Sequence, residues 1–379
     1  MSLINYVTKI QFGYGSLEHL AAEAQRAGIT RPLIVTDVGV VRAGIVDKVI
    51  AALGAEHVPT IYDATPPNPN EHAVRDAVAQ YRAGECDGII AVGGGSSIDL
   101  AKGVAVCATH DGTLQNFAVI EGGLDRITAA TAPLIAIPTT AGTGSEVGRG
   151  AILILDDGRK VGVISPHIVP KVAICDPELT LGLPRVLTAA TGMDAVAHCI
   201  ETFLAPAFNP AADGIALDGL WRAWQHIERA TAQPGDREAR LNMMSASMQG
   251  ALAFQKGLGC VHSLSHSLGG INPALHHGTL NAIFLPAVVA FNADAATVRD
   301  EGKLARLKHA MGLAADADIS TAIIDMTKRL GLPTRLSEIG VDASLFPRIV
   351  EGALHDHSHK TNPREASPED YQAMLAQSL

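Results

Sequence analysis

Short apolar runs alternate with amphipathic helical patterns through the first half of the chain. Apolar runs of roughly four to eight residues are typical of buried parallel strands, whereas apolar positions spaced three and four apart indicate helices. The pattern predicts strands at 32–37, 57–63, 87–92, 133–138 and 172–176, helices at 45–53, 71–83 and 98–108, and a hairpin with strands at 151–155 and 161–164. This alternation predicts a parallel sheet with helices on both faces.

The pattern changes at about residues 181–184, after which helical periodicity predominates and no strand is predicted. The predicted helices span 187–204, 211–227, 239–254, a histidine-rich segment at 259–278, 281–290, 304–309, 319–330 and 368–375. A length of 379 residues also favours two domains. We therefore predict an α/β, Rossmann-like nucleotide-binding domain at 1–183 and an all-helical metal- and substrate-binding domain at 184–379.

Composition narrows the class of protein. The net charge of −10 argues against a nucleic-acid or anionic membrane surface. The first residues lack the pattern of a signal peptide, and no apolar run approaches the ~20 residues of a membrane span. The five cysteines form no CxxC pair, which favours reduced thiols. We expect a cytoplasmic protein without a nucleic-acid or membrane partner.

Histidines are concentrated in one small-residue segment, with His262 and His266 one helical turn apart and His276 and His277 following. Asp194 and His198 have the same spacing in an earlier predicted helix. Two such pairs offer one carboxylate and three imidazoles to a divalent ion and leave an open position. Spacing alone does not decide which of the four histidines in the segment are ligands. The alternative to a metal site is that these histidines are buried core residues whose hydrogen bonds are made within the protein.

Two glycine- and hydroxyl-rich loops each follow a predicted strand: GGGSS at 93–97 and TTAGTGS at 139–145. Loops of this kind at the carboxyl ends of parallel strands are typical of a nucleotide crevice. The alternative for the first is a tight turn without a ligand. Asp37 ends another strand, where it is placed to bind a ribose hydroxyl and disfavour a 2′-phosphate, or simply to cap a helix. Because its carboxylate would repel the 2′-phosphate of NADP, Asp37 favours NAD over NADP.

Four motifs in this order resemble the iron-containing (group III) alcohol dehydrogenase family: GGGSSID at 93–99, PTTAGTGSE at 138–146, MDAVAH at 193–198 and the histidine segment at 259–278. Longer runs at 189–209, 254–266 and 359–363 are most similar to the bacterial 4-hydroxybutyrate dehydrogenases within that family. The resemblance implies the dehydroquinate synthase-like, iron alcohol dehydrogenase fold. It also implies an oxidoreductase that interconverts a primary alcohol and an aldehyde with NAD and Fe²⁺, although the same donors would hold Zn²⁺ or Mn²⁺.

Carried over motif by motif, the resemblance implies specific residues. The implied metal ligands are Asp194, His198, His262 and His277, with His276 as a competitor for the last position, and the implied catalytic imidazole beside the substrate is His266. The implied cofactor-binding residues are Asp37, Asn68, Gly94, Gly95, Ser96, Asp99, Thr139, Thr140, Thr143 and Lys160.

The expected substrate is a small alcohol or hydroxy acid, with 4-hydroxybutyrate and succinate semialdehyde as the leading pair. A carboxylate on the substrate requires a cationic partner. Arg149 and Lys256 adjoin family motifs and are the first candidates, followed by Lys360 and His359. Histidines 355, 357 and 359 are assigned no metal. The alternatives are another small substrate (lactaldehyde, a short primary alcohol or maleylacetate), a zinc-dependent relative of the same architecture, or a non-catalytic nucleotide-binding protein. A homodimer is expected.

Overall fold

The computed structural model describes residues 8–54 and 57–379, which form two compact units. Among the described residues, one unit contains 8–140 together with 144–182, and the other contains 141–143 together with 183–379. The first seven residues, on which the prediction about a signal peptide was made, lie outside the described part of the chain.

The first unit is built on a parallel sheet. Its strands and those of the hairpin are β1 (Ile10–Phe12), β2 (Pro32–Val35), β3 (Thr60–Tyr62), β4 (Gly88–Gly93), β5 (Leu134–Pro138), β6 (Gly150–Ile154), β7 (Lys160–Ile164) and β8 (Val172–Cys175). The six-stranded sheet has the order β1-β8-β5-β4-β2-β3, and all its neighbouring strands are parallel. Strands β6 and β7 pair antiparallel as the predicted hairpin.

Two apolar cores cover the two faces of this sheet. Along β2, Leu33 and Val35 belong to one core and Ile34 belongs to the other. Successive side chains of a strand point to opposite faces, so a continuous apolar run fills both cores. The helices of this unit are α1 (Leu20–Ala27), α2 (Val38–Arg42), α3 (Ile45–Leu53), α4 (Glu71–Ala83) and α5 (Gly95–Cys107). Helix α5 begins three residues earlier than predicted, because part of the glycine-rich loop forms its first turn.

The second unit is helical, and residues 183–379 contain no strand. Its helices are α6 (Arg185–Leu204), α7 (Pro210–Ala232), α8 (Arg237–Ala253), α9 (Cys260–Ile271), α10 (His277–Asn292), α11 (Ala296–Asp300), α12 (Lys303–Met311), α13 (Ile319–Arg329), α14 (Phe346–His355) and α15 (Pro368–Gln377). Helix α14 was not predicted, and α10 begins four residues earlier than expected. No helix in the described residues is long and apolar enough to cross a membrane.

Helix α6 is the centre of the helical unit. It packs against α7, α8 and α10, and its residues from Thr188 to Leu204 are all buried. A helix covered on all sides carries polar side chains only where they have buried partners. The polar residues of α6 include Asp194, His198 and Glu201, which are all buried. Their partners define the candidate site.

Candidate active site

One carboxylate oxygen of Asp194 faces three imidazoles. Its Oδ1 lies 3.8 Å from Nε2 of His198, 3.8 Å from Nε2 of His262 and 3.8 Å from Nε2 of His277. The donor atoms of Asp194, His198 and His262 all lie within 4.8 Å of one another, and His277 joins this group through Asp194. Three helices, α6, α9 and α10, therefore bring the four predicted metal ligands together.

The approach of α10 to α6 depends on a glycine. A Cβ atom on Gly278 would lie 2.2 Å from the backbone oxygen of Ala190 in α6, so only glycine fits at this crossing. The close approach brings the neighbouring His277 to Asp194. His276 precedes α10 at the N-cap position and is exposed. Of the two adjacent histidines, the structure brings His277 to the carboxylate.

Glu201 fixes the orientation of His262. Its Oε2 is bonded to Nδ1 of His262, and its Oε1 accepts a hydrogen bond of 2.8 Å from the amide of Val261. The carboxylate thus satisfies an unpaired amide at the start of α9 and holds the ring with Nε2 toward Asp194. A carboxylate behind an imidazole ligand is a common feature of metal sites, where it fixes the tautomer and raises the basicity of the ring.

Burial and pairing shift the pKa values of the group in opposite directions. Burial disfavours the charged form of His262, but the carboxylates of Glu201 and Asp194 outweigh it and raise its pKa to about 9. Burial lowers the pKa of His198 to about 4, although Asp194 opposes this shift. Burial raises the pKa of Asp194, but the three imidazoles outweigh it and hold that pKa well below its usual range. An anionic carboxylate beside buried imidazoles suits a cation.

The amide of Asn281 gives a second indication that a cation fits. Its Nδ2 donates to Asp194 Oδ1 over 2.7 Å and lies 3.2 Å from Nε2 of both His262 and His277. A positively polarised NH₂ group therefore lies beside the Asp194 carboxylate and between these two ring nitrogens, and Oδ1 of Asn281 is buried without a hydrogen-bond partner. Donors of a four-coordinate ion lie about 3.4 Å apart. The three separations from Asp194 exceed this by only a few tenths of an ångström, and the donor atoms of Asp194, His198 and His262 lie within 4.8 Å of one another, so this group suits a divalent ion.

His266 lies beside this group. Its ring stacks on that of His277, with centroids 5.3 Å apart and planes 13° apart. Its Nδ1 lies 3.0 Å from Oδ2 of Asp356, which orients the ring. Burial raises the pKa of Asp356, but the charge and hydrogen bond of His266 outweigh it and hold that pKa well below its usual range. The arrangement places an oriented imidazole next to a proposed ligand, as a proton carrier requires.

The two glycine-rich loops of the other unit meet at the carboxyl ends of neighbouring strands. The amide of Thr139 donates to the backbone oxygen of Gly93 over 2.9 Å, and a Cβ atom on Gly94 would lie 3.2 Å from the Thr140 side chain. Asp37 follows the adjacent strand β2, and its Oδ2 lies 3.4 Å from the Ser97 hydroxyl. These loops form one polar edge of the sheet, where open α/β sheets bind nucleotides.

Several predicted cofactor residues already have partners within the protein. Oδ1 of Asp37 accepts from the amides of Gly39 and Val40, so the residue does cap α2. Asp99 is half-buried and accepts from Ser145 Oγ over 2.6 Å. Asn68 accepts from Lys160 Nζ over 2.8 Å.

The remaining predicted cofactor residues divide between the polar edge and a neighbouring segment. Gly95 and Ser96 lie in the first turn of α5, and the Ser96 hydroxyl donates to the backbone oxygen of Pro67. Thr143 belongs to the segment 141–143, which groups with the helical unit.

Lys256 is not available to a substrate carboxylate, contrary to the prediction. Its side chain is 1% exposed, and Nζ forms an ion pair with Asp213 and donates to the backbone oxygen of Phe203 over 3.1 Å. The latter contact satisfies a carbonyl near the end of α6, so the lysine is structural.

Arg149, in contrast, is exposed and no side chain in the described residues pairs with it. The ring of His359 is bonded to the Tyr371 hydroxyl at 2.9 Å.

Two family models match the chain almost end to end. "Iron-containing alcohol dehydrogenase" matches residues 7–177, and "Fe-containing alcohol dehydrogenase family, C-terminal" matches residues 188–379. The chain belongs to the iron-containing alcohol dehydrogenase family. This alcohol dehydrogenase is 63% identical over 383 residues to the 4-hydroxybutyrate dehydrogenase of Cupriavidus necator, with complete coverage of both chains.

Solved structures of other family members agree with this assignment. The crystal structure of a 1,3-propanediol oxidoreductase has a TM-score of 0.93 and 34% identity, with complete coverage of both chains. The sulfoacetaldehyde reductase of Bifidobacterium kashiwanohense in complex with NAD⁺ has a TM-score of 0.88 and 28% identity, and covers 100% of this chain and 99% of that one. The predicted fold class and the oxidoreductase class are confirmed, and the family description agrees with the expectation of iron.

Sequence reasoning missed Asn281 and Asp356 and did not connect Glu201 with His262. Asn281 lies one turn after His277, and Glu201 lies one turn after His198, so helical spacing was a usable signal for both. Asp356 is 90 positions from His266, and no local pattern links them.

Proposed function

We propose that this alcohol dehydrogenase interconverts 4-hydroxybutyrate and succinate semialdehyde with NAD and one divalent ion, Fe²⁺, held by Asp194, His198, His262 and His277. The observation that carries the metal assignment is the single Asp194 oxygen facing three Nε2 atoms at 3.8 Å. The substrate assignment is supported by the 63% identity to a 4-hydroxybutyrate dehydrogenase across the whole chain.

The ion, when bound, would supply Lewis acidity that lowers the pKa of an alcohol hydroxyl or polarises a carbonyl. NAD⁺ would accept the hydride in oxidation. The protein's own contribution is positional. Asp194 and the three imidazoles would hold the ion, and Glu201 and Asn281 contact two of those imidazoles and the carboxylate. In our proposal His266, oriented by Asp356, carries the hydroxyl proton away.

We further propose that the two units act as separate domains, with residues 1–183 holding the cofactor and 184–379 holding the ion and the reacting end of the substrate. The cofactor assignment rests on the polar edge of the sheet. Asp37, Gly94, Gly95, Ser96, Thr139 and Thr140 lie on it or beside it, and Asn68, Asp99, Thr143 and Lys160 complete the proposed set. The amides at the start of α5 suit the pyrophosphate of NAD.

A carboxylate on the substrate needs a cation that is not already paired. Lys256 already forms an ion pair with Asp213. Arg149 is therefore the remaining first candidate for binding the substrate carboxylate, and its exposed guanidinium has no side-chain partner among the described residues. An arginine binds a carboxylate through two parallel hydrogen bonds. We propose that Arg149 distinguishes succinate semialdehyde from a neutral aldehyde of similar length.

Substrate preference tests this function directly. With NADH as reductant, kcat/KM for succinate semialdehyde is expected to exceed that for butyraldehyde and lactaldehyde at least about a hundredfold, because a site that pairs with a charge rejects analogues that lack it. Arg149→Ala is expected to remove most of that margin. Arg42→Ala changes an exposed arginine of the same unit and is expected to keep the margin. Equal kcat/KM values for the neutral aldehydes would contradict the substrate assignment and leave the family membership unaffected.

We also propose that the enzyme is a cytoplasmic homodimer. All five cysteines are unpaired thiols in the structure, which agrees with a reducing compartment. The dimer is an expectation from the resemblance to the family. Sedimentation equilibrium of the purified enzyme tests it, and a mass of one chain across the micromolar range would contradict it.

A further inference from the structure

A second group of metal-binding side chains lies beside the first but shares no residue with it. It consists of His266, Asp356 and His357. Asp356 Oδ2 lies 3.0 Å from Nδ1 of His266 and 3.6 Å from Nδ1 of His357, and one ligand atom from each residue lies within 4.8 Å of the other two. No metal is predicted from the sequence at histidines 355, 357 and 359.

The fold holds these three side chains in place. His266 lies on α9, whereas Asp356 and His357 stand where α14 ends and a 3₁₀ turn, His357–Thr361, begins. Asp356 Oδ1 accepts from the amide of Ser358 over 2.8 Å, which leaves Oδ2 toward the two rings. The rings of His266 and His357 stack, with centroids 5.7 Å apart and planes 21° apart. The three donor atoms are therefore held within 4.8 Å of one another before any ion binds.

Exposure at the group is graded. The side chains of His266 and Asp356 are 6% and 7% exposed, whereas that of His357 is 27% exposed. An ion arriving from solvent would meet His357 first and find the carboxylate behind it. The two nearby histidines are occupied otherwise, since His355 Nδ1 contacts the backbone oxygen of Glu351 and His359 Nδ1 contacts the Tyr371 hydroxyl.

We propose that His266, Asp356 and His357 form a second divalent metal site, suited to Zn²⁺ or a similar transition-metal ion. Two imidazoles and one carboxylate are a three-residue donor set that leaves a fourth position open. Donors of a four-coordinate zinc ion lie about 3.4 Å apart, close to the 3.0 and 3.6 Å separations around Asp356 Oδ2. Hard oxygen-seeking ions such as Mg²⁺ would bind poorly to it.

An ion at this second site would hold Nδ1 of His266 and fix its ring. The proposed function uses that ring to carry a proton, so occupancy is expected to slow turnover. This consequence rests on the proposed function, whereas the existence of the site does not.

Metal stoichiometry tests the site without using activity. Tag-free enzyme carrying one Fe²⁺ per chain is dialysed against increasing ZnCl₂ under anaerobic conditions, and iron and zinc are counted in the same sample. The expected result is that the sum of iron and zinc rises from one to two ions per chain, whether or not zinc also replaces iron at the first site. His357→Gln and Asp356→Asn are each expected to weaken the zinc step at least about tenfold, because each removes a direct ligand. His355→Gln removes a neighbouring histidine outside the group and is expected to bind zinc like the parent enzyme.

Two results would overturn the site: no added zinc while iron is retained, or added zinc with equal affinity in His357→Gln and Asp356→Asn. The first would mean that Asp356 only orients His266. Inhibition is read separately, as the zinc concentration that halves turnover of the iron enzyme, which is expected to rise at least about tenfold in His357→Gln. Zinc bound at the second site with no loss of turnover would overturn the proton-carrying role of His266 and leave the site standing.

Discussion

Glu201 and His262 form a buried carboxylate–imidazole pair between α6 and α9. Both side chains are 2% exposed, and the second oxygen of Glu201 accepts from the first turn of α9. One carboxylate therefore anchors the helix that carries His262 and fixes which ring nitrogen faces Asp194. The proposed metal site depends on this contact, although Glu201 itself is not a proposed ligand.

Glu201→Gln is expected to weaken binding of the divalent ion about 10- to 100-fold, the usual cost of losing the carboxylate behind an imidazole ligand. Glutamine keeps the shape and a hydrogen-bonding oxygen but removes the charge that raises the basicity of His262. Competition with a chelator of known affinity measures the change. The exposed Glu351→Gln, on the same unit, is the control. Equal metal affinity in Glu201→Gln and the parent would show that the pair only supports the fold.

Lys256→Met is expected to lower the free energy of unfolding by about 3 kcal/mol, because it leaves Asp213 without its partner in a largely buried position. It is expected to leave the preference for succinate semialdehyde over butyraldehyde intact. Urea unfolding and the two kcat/KM values measure these effects. Lys328→Met breaks an exposed pair with Asp325 and is expected to cost under about 1 kcal/mol. Loss of the substrate preference in Lys256→Met would restore Lys256 as a substrate-binding residue.

Gly93→Ala is expected to raise the Kd for NADH at least about tenfold. Gly93 has φ of +155°, and a Cβ atom there would lie 2.5 Å from the Ser97 hydroxyl, so the loop before α5 must move. The amides that we assign to the pyrophosphate would move with it. Fluorescence titration with NADH measures Kd, and the metal content is expected to stay unchanged. Gly182→Ala, with no atom within 4 Å of the new Cβ, is the control.

As pH rises, the free energy of unfolding of the parent enzyme is expected to fall relative to that of the Glu146→Gln variant. Burial raises the pKa of Glu146 to about 7, although its own amide and Lys102 oppose the shift. In the unfolded chain the carboxyl ionises near its ordinary value of about 4.5. The folded state thus holds the proton more tightly, and this contribution is lost as pH rises from about 4.5 through about 7.

Urea unfolding at pH 5, 6, 7 and 8 measures this effect. The advantage of Glu146→Gln over the parent is expected to grow by about 2.5 kcal/mol between pH 5 and pH 8 and to level off above pH 7. Groups that do not interact with Glu146 titrate alike in both proteins, so their contributions cancel in the difference, whereas Lys102 loses the carboxylate that raises its pKa. A difference that does not change with pH would show that Glu146 titrates normally in the folded protein.

Patterns of neighbouring residues predicted those strands, helices and side-chain pairs that depend on residues close together in the sequence. The strand at β4 and the helix at α4 follow from apolar periodicity, and the pairing of Asp194 with His198 follows from helical spacing. The two glycine-rich loops follow buried strands, and their meeting follows from the way parallel strands align their carboxyl ends.

Contacts between distant residues were beyond the sequence pattern. Glu201 and His262 are 61 positions apart, and Asn281 is 87 positions from Asp194. Lys256 was predicted on the surface or in a substrate pocket. No sequence pattern near it indicates that Asp213 is its partner. Helix α14 was missed even though its apolar residues lie on one face. The choice of His277 over His276 came from the family resemblance and not from spacing.

Anaerobic titration of the metal-free enzyme with Fe²⁺ tests the central claim most directly. The chelator-treated protein is expected to show no NADH oxidation with succinate semialdehyde, and the rate is expected to rise linearly until one ion is bound per chain. Asp194→Asn, which removes the oxygen that faces all three imidazoles, is expected to stay inactive throughout the titration. Full turnover by protein shown to contain no metal, or by Asp194→Asn, would contradict the account.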